Sequence, residues 1–161
     1  MAISEKFKNR INDLVSEQKD LRGIGRVEIA NEIPVDYNSL ANALNYGILP
    51  TTRILMKMAD YFCVPLDFLL GRTDAEDFVK SEKGETFAVR VAALCDGRRV
   101  KFAKVSKECH LDRGYIRRWI KTGYLPELEF LDILAAYFGV SLDYLLGRSD
   151  EEGKYTEDPE K

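Results

Sequence analysis

The chain has 161 residues, of which 45% are hydrophobic and 32% charged, a composition typical of a globular protein rather than a disordered one. Its formal net charge of -3 argues against a protein that coats nucleic acid regardless of sequence, because such a protein needs a positive surface. No apolar stretch approaches the roughly 20 residues of a membrane-spanning helix, and the charged start MAISEKFKNR is unlike an export signal, so we expect a cytoplasmic protein.

The chain offers few residues for metal binding or catalysis. Cys63, Cys95 and Cys109 lack CxxC spacing, and the neighbours Cys109 and His110 have no further ligand nearby, so we expect buried small side chains. There is also no glycine-rich phosphate loop and no glycine-flanked serine of the nucleophile-elbow kind. The sequence therefore predicts neither an enzyme, nor a metal site, nor a cofactor.

The hydrophobic spacing is helical from the first element onward. Phe7, Ile11 and Leu14 recur at helical intervals near the N-terminus, and no alternating strand pattern competes with this period further along. Asp36 and Asp112 occupy positions typical of helix N-caps. Glycine and proline mark the ends of the helices that follow: Gly47, Pro50, Gly123 and Pro126. The fold class predicted from this pattern is all-α.

An internal repeat indicates two domains. The segment LPTTRILMKMADYFCVPLDFLLGRTD aligns without a gap to LPELEFLDILAAYFGVSLDYLLGRSD, which starts 76 residues later, and about half of the positions are identical. Further upstream the offset is 80 residues, so the first copy carries four extra residues around SEQKDLRGIG. The predicted organisation is a first domain over 1–74, a linker over 75–84, a second domain over 85–148 and an acidic, disordered tail over 149–161.

Each copy is predicted to contain five short helices. In the second copy we expect them over the following ranges: 85–96, 101–109, 112–121, 127–138 and 141–146. Trp119 and the pairs Tyr61-Phe62 and Tyr137-Phe138 have helical spacing, which is more typical of core residues than of a base-stacking surface.

Both copies contain a short helix, a tight turn and a second short helix, within GRVEIANEIPVDYNSLANAL and KFAKVSKECHLDRGYIRRWIK. Such a pair presents its second helix to the major groove of DNA. Both copies resemble the Cro and lambda-repressor-type helix-turn-helix family, also called the XRE family, above all in the endings VPLDFLLGRTD and VSLDYLLGRSD after AxYF. The resemblance implies two tandem lambda-repressor-like five-helix DNA-binding domains of the bacterial repressor type.

The sequence also departs from the family pattern. Glycine is usual at the turn, where a positive φ is favoured, but this chain has Pro34 and His110 there. Because proline cannot take a positive φ, we expect the first turn to differ in geometry from the family pattern. The family's frequent glutamine at the start of the second helix is replaced by Arg26 and Phe102, which we therefore include among the candidate DNA-binding residues.

The second copy has the better-equipped third helix. The family's base-reading positions correspond here to Arg113, Gly114, Arg117, Arg118 and Lys121, beside Asp112. Arginine can bond bidentately to guanine O6 and N7. Nearby basic side chains suit phosphate contacts: Arg98, Arg99, Lys101, Lys104 and Lys107. From Ala88 to Leu125 ten Lys and Arg residues stand against three acids, a local balance of +7 that is the strongest functional signal.

The first copy is less basic in the same region. Its candidate DNA-binding residues are Arg26, Tyr37, Asn38, Asn42 and Asn45. Asparagine can read adenine, and Tyr37 can reach phosphate or stack, but Glu28, Glu32 and Asp36 lie nearby in the sequence. The sequence leaves two roles open for this copy, weak DNA binding or protein contact.

The sequence as a whole predicts a sequence-specific DNA-binding transcriptional regulator, of the repressor type, which inserts the third helix of each domain into the major groove. Double-stranded DNA is the predicted partner, and both a monomer and a homodimer remain open. The alternative is a helix-turn-helix protein-protein interaction module of the antitoxin or antirepressor type. A partner that co-purifies through the basic face would favour that alternative.

Overall fold

The computed structural model describes residues 2–159, and throughout these residues the chain is all-α, with one isolated bridge between Ile3 and Ile48 in place of any strand. The described residues of Met1–Phe78, together with those of Asp158–Lys161, form one compact unit, and Val79–Glu157 form the second. The boundary falls inside the segment 75–84 that was predicted as a linker. Met1, at the start of the predicted first domain, and Glu160 and Lys161, at the end of the predicted tail, lie outside the described residues.

Ten helices occur between residues 2 and 159, five in each unit. Those of the first unit are α1 Glu5–Arg22, α2 Arg26–Glu32, α3 Tyr37–Tyr46, α4 Thr52–Phe62 and α5 Leu66–Leu69. Those of the second unit are α6 Phe87–Gly97, α7 Phe102–Glu108, α8 Tyr115–Thr122, α9 Leu128–Phe138 and α10 Leu142–Leu145. Each of the five ranges predicted for the second copy overlaps one helix, and α6 and α8 end one residue later than predicted.

Each unit buries an apolar core built from all of its longer helices. The core positions of the first unit include Phe7, Ile11, Ile29, Leu40 and Leu55. Their counterparts at offsets of 80 and 76 residues are Phe87, Val91, Val105, Ile116 and Leu131. All ten side chains are at most 3% exposed. The repeat in the sequence is therefore a repeat of core positions.

The aromatic residues predicted to belong to the core differ in burial. Trp119 and Phe138 are buried, which confirms their predicted role, whereas Tyr61, Phe62 and Tyr137 are half-buried. The ring of Trp119 lies 5.7 Å from that of Phe130 and 6.4 Å from that of Phe87, at tilted angles that favour aromatic contact.

A buried arginine on the first helix of the second unit binds the chain that follows the last helix. Arg90 is 1% exposed, and its guanidinium donates to the carbonyl oxygens of Tyr144 (3.0 Å) and Ser149 (2.8 Å). It also pairs with the carboxylates of Glu85 (2.6 Å) and Asp150 (2.9 Å) and lies 4.3 Å from the centre of the Tyr144 ring. Its charge and its donors are thus satisfied inside the fold.

The first unit repeats this arginine clamp with equivalent residues. Arg10 donates to the carbonyl oxygens of Phe68 (2.8 Å) and Thr73 (3.2 Å) and pairs with Asp74 (3.2 Å). Its guanidinium lies 3.8 Å from the centre of the Phe68 ring. The repeated ending of the two copies is therefore a binding surface for this arginine. We call each arginine with its ring, carbonyl and carboxylate partners the arginine clamp.

The second clamp extends its unit at both ends beyond the predicted bounds of 85–148. Ser149 and Asp150, assigned to the disordered tail from their sequence, are instead hydrogen-bonded to Arg90. Asp150 also accepts from the Ser81 hydroxyl (2.5 Å) and from the backbone N–H of Glu82 (2.9 Å), both in the predicted linker. Ser149 and Asp150 accept from the buried guanidinium, which needs acceptors on its edges, and Ser81 and Glu82 in turn donate to the Asp150 carboxylate.

The third helices of the two units begin differently. Asp36 caps α3, as predicted, and its carboxylate accepts from the backbone N–H of Ser39 (2.9 Å). The prediction that Asp112 caps α8 was wrong: the N-cap is Gly114, at a φ of 91°. A helix cannot run through that conformation, so Arg113 and Gly114 form a turn before α8 rather than its first residues.

The turns between the second and third helices also differ between the two units. His110 has a positive φ of 57°, whereas Pro34 is not among the residues with positive φ. Both turns nevertheless keep one hydrogen bond, because Val35 and Leu111 each donate their backbone N–H to the carbonyl five residues earlier, at 2.9 and 2.8 Å. The helix pair is thus joined in both units despite different backbone angles.

The cysteines occupy two kinds of position. Cys95 and Cys109 are buried, as expected, but the expectation was wrong for Cys63, which is exposed. Cys63 follows α4 at a φ of 54°, in the left-handed cap position that Gly139 occupies after α9 at 69°. A side chain at this cap lies outside the helix and its core contacts.

We expect Arg90→Met to destabilise the second unit by about 3 kcal/mol, because it removes the buried guanidinium that balances two carboxylates and donates to two carbonyl oxygens. Urea unfolding followed by the fluorescence of Trp119, the single tryptophan, measures this change. Arg117→Met is the matched control, since that side chain is exposed, and its effect is expected to stay within about 0.5 kcal/mol. Equal midpoints for the two variants would contradict a stabilising clamp.

We expect Gly139→Ala to destabilise the second unit by about 1 kcal/mol, since alanine is strained at a positive φ. No atom lies within 4 Å of the added Cβ, so the backbone alone accounts for the cost. Gly97→Ala, which also meets open space but ends helix α6, is expected to stabilise by about 0.5 kcal/mol. Trp119 fluorescence in urea reports both, and shifts of the same sign would refute this explanation.

Candidate nucleic-acid interface

A groove of about 230 Å³ lies between α7 and the start of α8. Its lining residues are Phe102, Ala103, Ser106, Arg113, Gly114 and Arg117. A neighbouring cavity of about 390 Å³ shares Phe102, Ala103 and Arg117 with it. The structure thus brings together four of the residues predicted to bind DNA, namely Phe102, Arg113, Gly114 and Arg117. We call this the α7–α8 groove.

The two arginines of this groove are available to a ligand. Arg113 and Arg117 are both exposed, and the guanidinium of neither makes a hydrogen bond or an ion pair with any residue from 2 to 159. The arginines of the clamps, in contrast, spend their donors on internal carbonyls and carboxylates. An unpaired guanidinium on a rigid helix suits an external acceptor such as a base edge or a phosphate.

The remaining basic residues predicted for the second copy do not line this groove. Lys101 caps the start of α7, and Lys121 lies in the last turn of α8. Arg118 lies 5.1 Å from the centre of the Tyr115 ring, on a different surface of α8. Lys104 is within 3.8 Å of Glu108 and lines a separate cavity with Arg98, Arg99 and Tyr137. Arg118 and Lys104 are therefore outside the groove.

The structure corrects the charge balance of this region. The local value of +7 includes Arg90, which is buried in its clamp and compensated by two carboxylates. The nine other Lys and Arg residues between Ala88 and Leu125 are exposed, and so are the three acids, which leaves a surface balance of +6. The surface of this region thus remains positive when Arg90 is left out.

One acid beside the groove is already engaged. Asp112 accepts a hydrogen bond from the Tyr115 hydroxyl, and this bond raises the pKa of Tyr115 above its ordinary value. Tyr115, the first residue of α8, thus holds the carboxylate of Asp112, which lies next to Arg113 in the turn before the helix. This contact was not foreseen, and no spacing rule links an aspartate to a tyrosine three residues later across a turn.

The candidate residues of the first unit share one surface of α3. Asn38, Asn42 and Asn45 stand at intervals of four and three residues, so they occupy one face of the helix, and all are exposed. Tyr37, at the start of α3, is 46% exposed. The guanidinium of Arg26 on α2 donates to the side-chain oxygen of Asn45 (3.0 Å), so these two side chains act together.

The acids of the first unit, which argued against DNA binding, have local partners. Glu28 accepts from the backbone N–H of Gly25 at the start of α2 (3.0 Å). Glu32 forms two hydrogen bonds of 2.7 Å with Arg22 and one of 2.5 Å with the Tyr61 hydroxyl. These bonds lower the pKa of Glu32 to about 2. Sequence reasoning missed Arg22, which belongs to the four-residue expansion of the first copy.

The glutamate–tyrosine contact recurs in the second unit. Glu108 and Tyr137 stand 76 residues after Glu32 and Tyr61, and their hydrogen bond raises the pKa of Tyr137 to about 12. In both units this contact ties the end of the second helix to the fourth helix. The helix pair that carries the candidate residues is therefore tied to the fourth helix at the end of its first member.

Comparisons with protein-family models, with curated proteins and with solved structures found no match for this chain. Within residues 2–159, no helix combines the length and the apolar character needed to cross a membrane.

We expect Arg22→Ala to raise the pKa of Glu32 from about 2 toward its ordinary value of 4.5, because the arginine provides the largest stabilisation of the carboxylate. A ¹³C NMR titration of the Glu32 carboxyl carbon measures it, and Tyr61→Phe is expected to give a smaller rise. Since the pKa is lowered in the fold, the pair stabilises the first unit above pH 4.5, and this stabilisation is lost as the pH falls toward 2. A parent Glu32 that titrates near 4.5 would contradict the ion pair.

Proposed function

We propose that this chain is a sequence-specific DNA-binding transcriptional regulator of the repressor type, built from two tandem lambda-repressor-like five-helix helix-turn-helix domains. The observation that carries the proposal is the pair of exposed, unpaired arginines, Arg113 and Arg117, beside α8 in a surface of balance +6. In a chain with an overall charge of -3, this local excess favours an anionic partner.

The helix geometry supports the same function. In each unit a seven-residue helix, α2 or α7, leads through a short turn to a helix of ten or eight residues, α3 or α8. The later helix of each pair is apolar toward the core through Leu40 or Ile116 and polar on its outer face. A helix of this kind fits the major groove, which admits one α-helix.

Distinct roles follow for the residues of the second domain. Arg117, on the rigid helix, suits bidentate bonding to guanine, and Arg113, in the turn, suits a base edge or a phosphate. Lys101 and Lys121, at the start of α7 and in the last turn of α8, suit DNA phosphates on either side of the major groove. Such phosphate contacts fix the position of the protein but carry no sequence information.

The first domain has a different set of readers. Asn38 and Asn42 suit adenine, which offers N6 and N7 to an amide side chain. Arg26, held by Asn45, is directed along the surface between α2 and α3 and suits a phosphate. The proposed partner of the whole chain is double-stranded DNA, and bound repressor would block access of polymerase to the site.

A protein-contact role is the second candidate for the first domain. Tyr37 and Tyr46, at the two ends of α3, are 46% and 62% exposed. Tyrosine is enriched where proteins meet, because it buries a large area at low entropic cost. This surface is compatible with the antitoxin or antirepressor type of module, in which the helix-turn-helix pair contacts protein.

Selection of bound duplexes from a random DNA pool tests the proposal. We expect the parent protein to enrich one motif and Arg113→Ala/Arg117→Ala to lose it, since each bidentate arginine contributes about 10- to 100-fold to discrimination between bases. Affinity should fall with salt at a slope of about -0.9 per phosphate neutralised.

Lys104→Ala/Lys107→Ala is the matched control, because it removes the same charge from exposed positions outside the α7–α8 groove. The control is expected to bind more weakly but to recover the same motif. Loss of the motif in both variants would indicate that only charge matters. Failure of the parent to enrich any motif would overturn the proposal and favour the protein partner.

A further inference from the structure

The α7–α8 groove has an apolar wall opposite its cationic one. Phe102, half-buried at the start of α7, and Ala103, exposed beside it, line both cavities together with Arg117. Gly114 adds a backbone with no side chain at the end of the groove. A phenyl ring, a methyl group and a free guanidinium therefore converge on one space of about 230 Å³.

This combination matches two neighbouring groups in the major groove of DNA. Guanine presents O6 and N7 to an arginine, and thymine alone among the four bases presents a methyl group, on C5. Successive bases of one strand are stacked about 3.4 Å apart, so the methyl of a thymine lies beside the edge of the guanine that follows it. An arginine flanked by an apolar surface can contact both groups at once.

Resting on the proposed function, we propose that the second domain recognises a 5′-TG-3′ step, in which Arg117 binds guanine while Phe102 and Ala103 contact the C5 methyl of the thymine. The specificity for thymine comes from the apolar wall and not from a hydrogen bond. A cytosine methylated at C5 carries the same methyl group and is accepted at the same position.

The first domain lacks this arrangement. The positions that match Phe102 and Arg117 are occupied by Arg26, which is bonded to Asn45, and by Ala41. These two positions of the first domain therefore provide neither a phenyl ring nor a free arginine. The preference for the TG step therefore belongs to the second domain alone, so each chain contributes one such contact.

Replacement of thymine by deoxyuridine tests the inference, because it removes only the methyl group. The probe is a short duplex with the selected motif, and fluorescence anisotropy at fixed salt gives its Kd. We expect deoxyuridine at the TG step to weaken binding by about fourfold, the factor for exposing one methyl group. Cytosine at that position is expected to gain a similar factor on C5 methylation. Deoxyuridine at a thymine outside the step should have no effect.

Phe102→Ala is expected to abolish the difference between thymine and deoxyuridine while binding persists through Arg117. Ala103→Asn is a second variant that keeps the core intact, because Ala103 is exposed, and it places a polar amide where the methyl would lie. Tyr124→Ala, an exposed aromatic residue outside the groove, is the matched control and should keep the full difference. Trp119 fluorescence in urea shows whether each variant is folded.

The outcomes separate the two proposals. Sequence-specific binding with equal affinity for thymine and deoxyuridine, or a selected motif without a TG step, would overturn the methyl contact and leave the proposed function intact. A parent protein that selects no motif would overturn both. A difference that survives in Phe102→Ala and in Ala103→Asn would assign the methyl contact to other residues and refute the roles given to this pair.

Discussion

The arginine clamp is the constraint on which each unit depends. A guanidinium that is almost fully removed from water must find an acceptor for each donor and a charge to balance its own, or the cost of burial exceeds the gain. Arg90 meets this demand with two carbonyls, two carboxylates and an aromatic ring. Arg10, which is less deeply buried, has two carbonyls, one carboxylate and an aromatic ring. The clamp joins the first helix to the chain after the fifth. The four helices between these two points are thereby enclosed, and the core positions of the longer helices are directed inward.

Enclosure of the core leaves the outer surface of the helix pair free to differ. The two units share core positions, the clamp and the glutamate–tyrosine contact, yet they diverge at each residue proposed to meet DNA. Phe102 and Arg117 of the second unit correspond in the repeat to Arg26 and Ala41 of the first. The start of the third helix has moved as well, from Tyr37 to Tyr115, which is two positions later in the repeat. The residues that stabilise each unit are thus separate from those proposed to contact DNA, so one set can change while the other is kept.

The sequence predicted the all-α class, the five helices of the second copy and the position of Asp36 as a cap, because these depend on local spacing and on short-range hydrogen bonds. It failed where long-range contacts decide. Ser149 and Asp150 look like the start of an acidic tail, and only their bonds to Arg90, about 60 residues earlier, show otherwise. The start of α8 was misplaced because Gly114 takes a positive φ that its flanking residues do not signal. The α7–α8 groove unites residues that were named individually, but the apolar wall of Phe102 beside Arg117 required the packed structure.

The span of the clamps also bears on how the chain matures on the ribosome. The first clamp joins residues 10 and 74, and the second joins residues 90 and 150, so neither can close until its last partner has been synthesised. The first unit has all its clamp residues once Asp74 has left the exit tunnel, while the second unit is still a nascent chain. The clamp of the first unit can therefore close before that of the second, which limits pairing between two similar sequences while both are unfolded. The two copies of the repeat thus differ in when their clamps can form, as well as in their position along the chain.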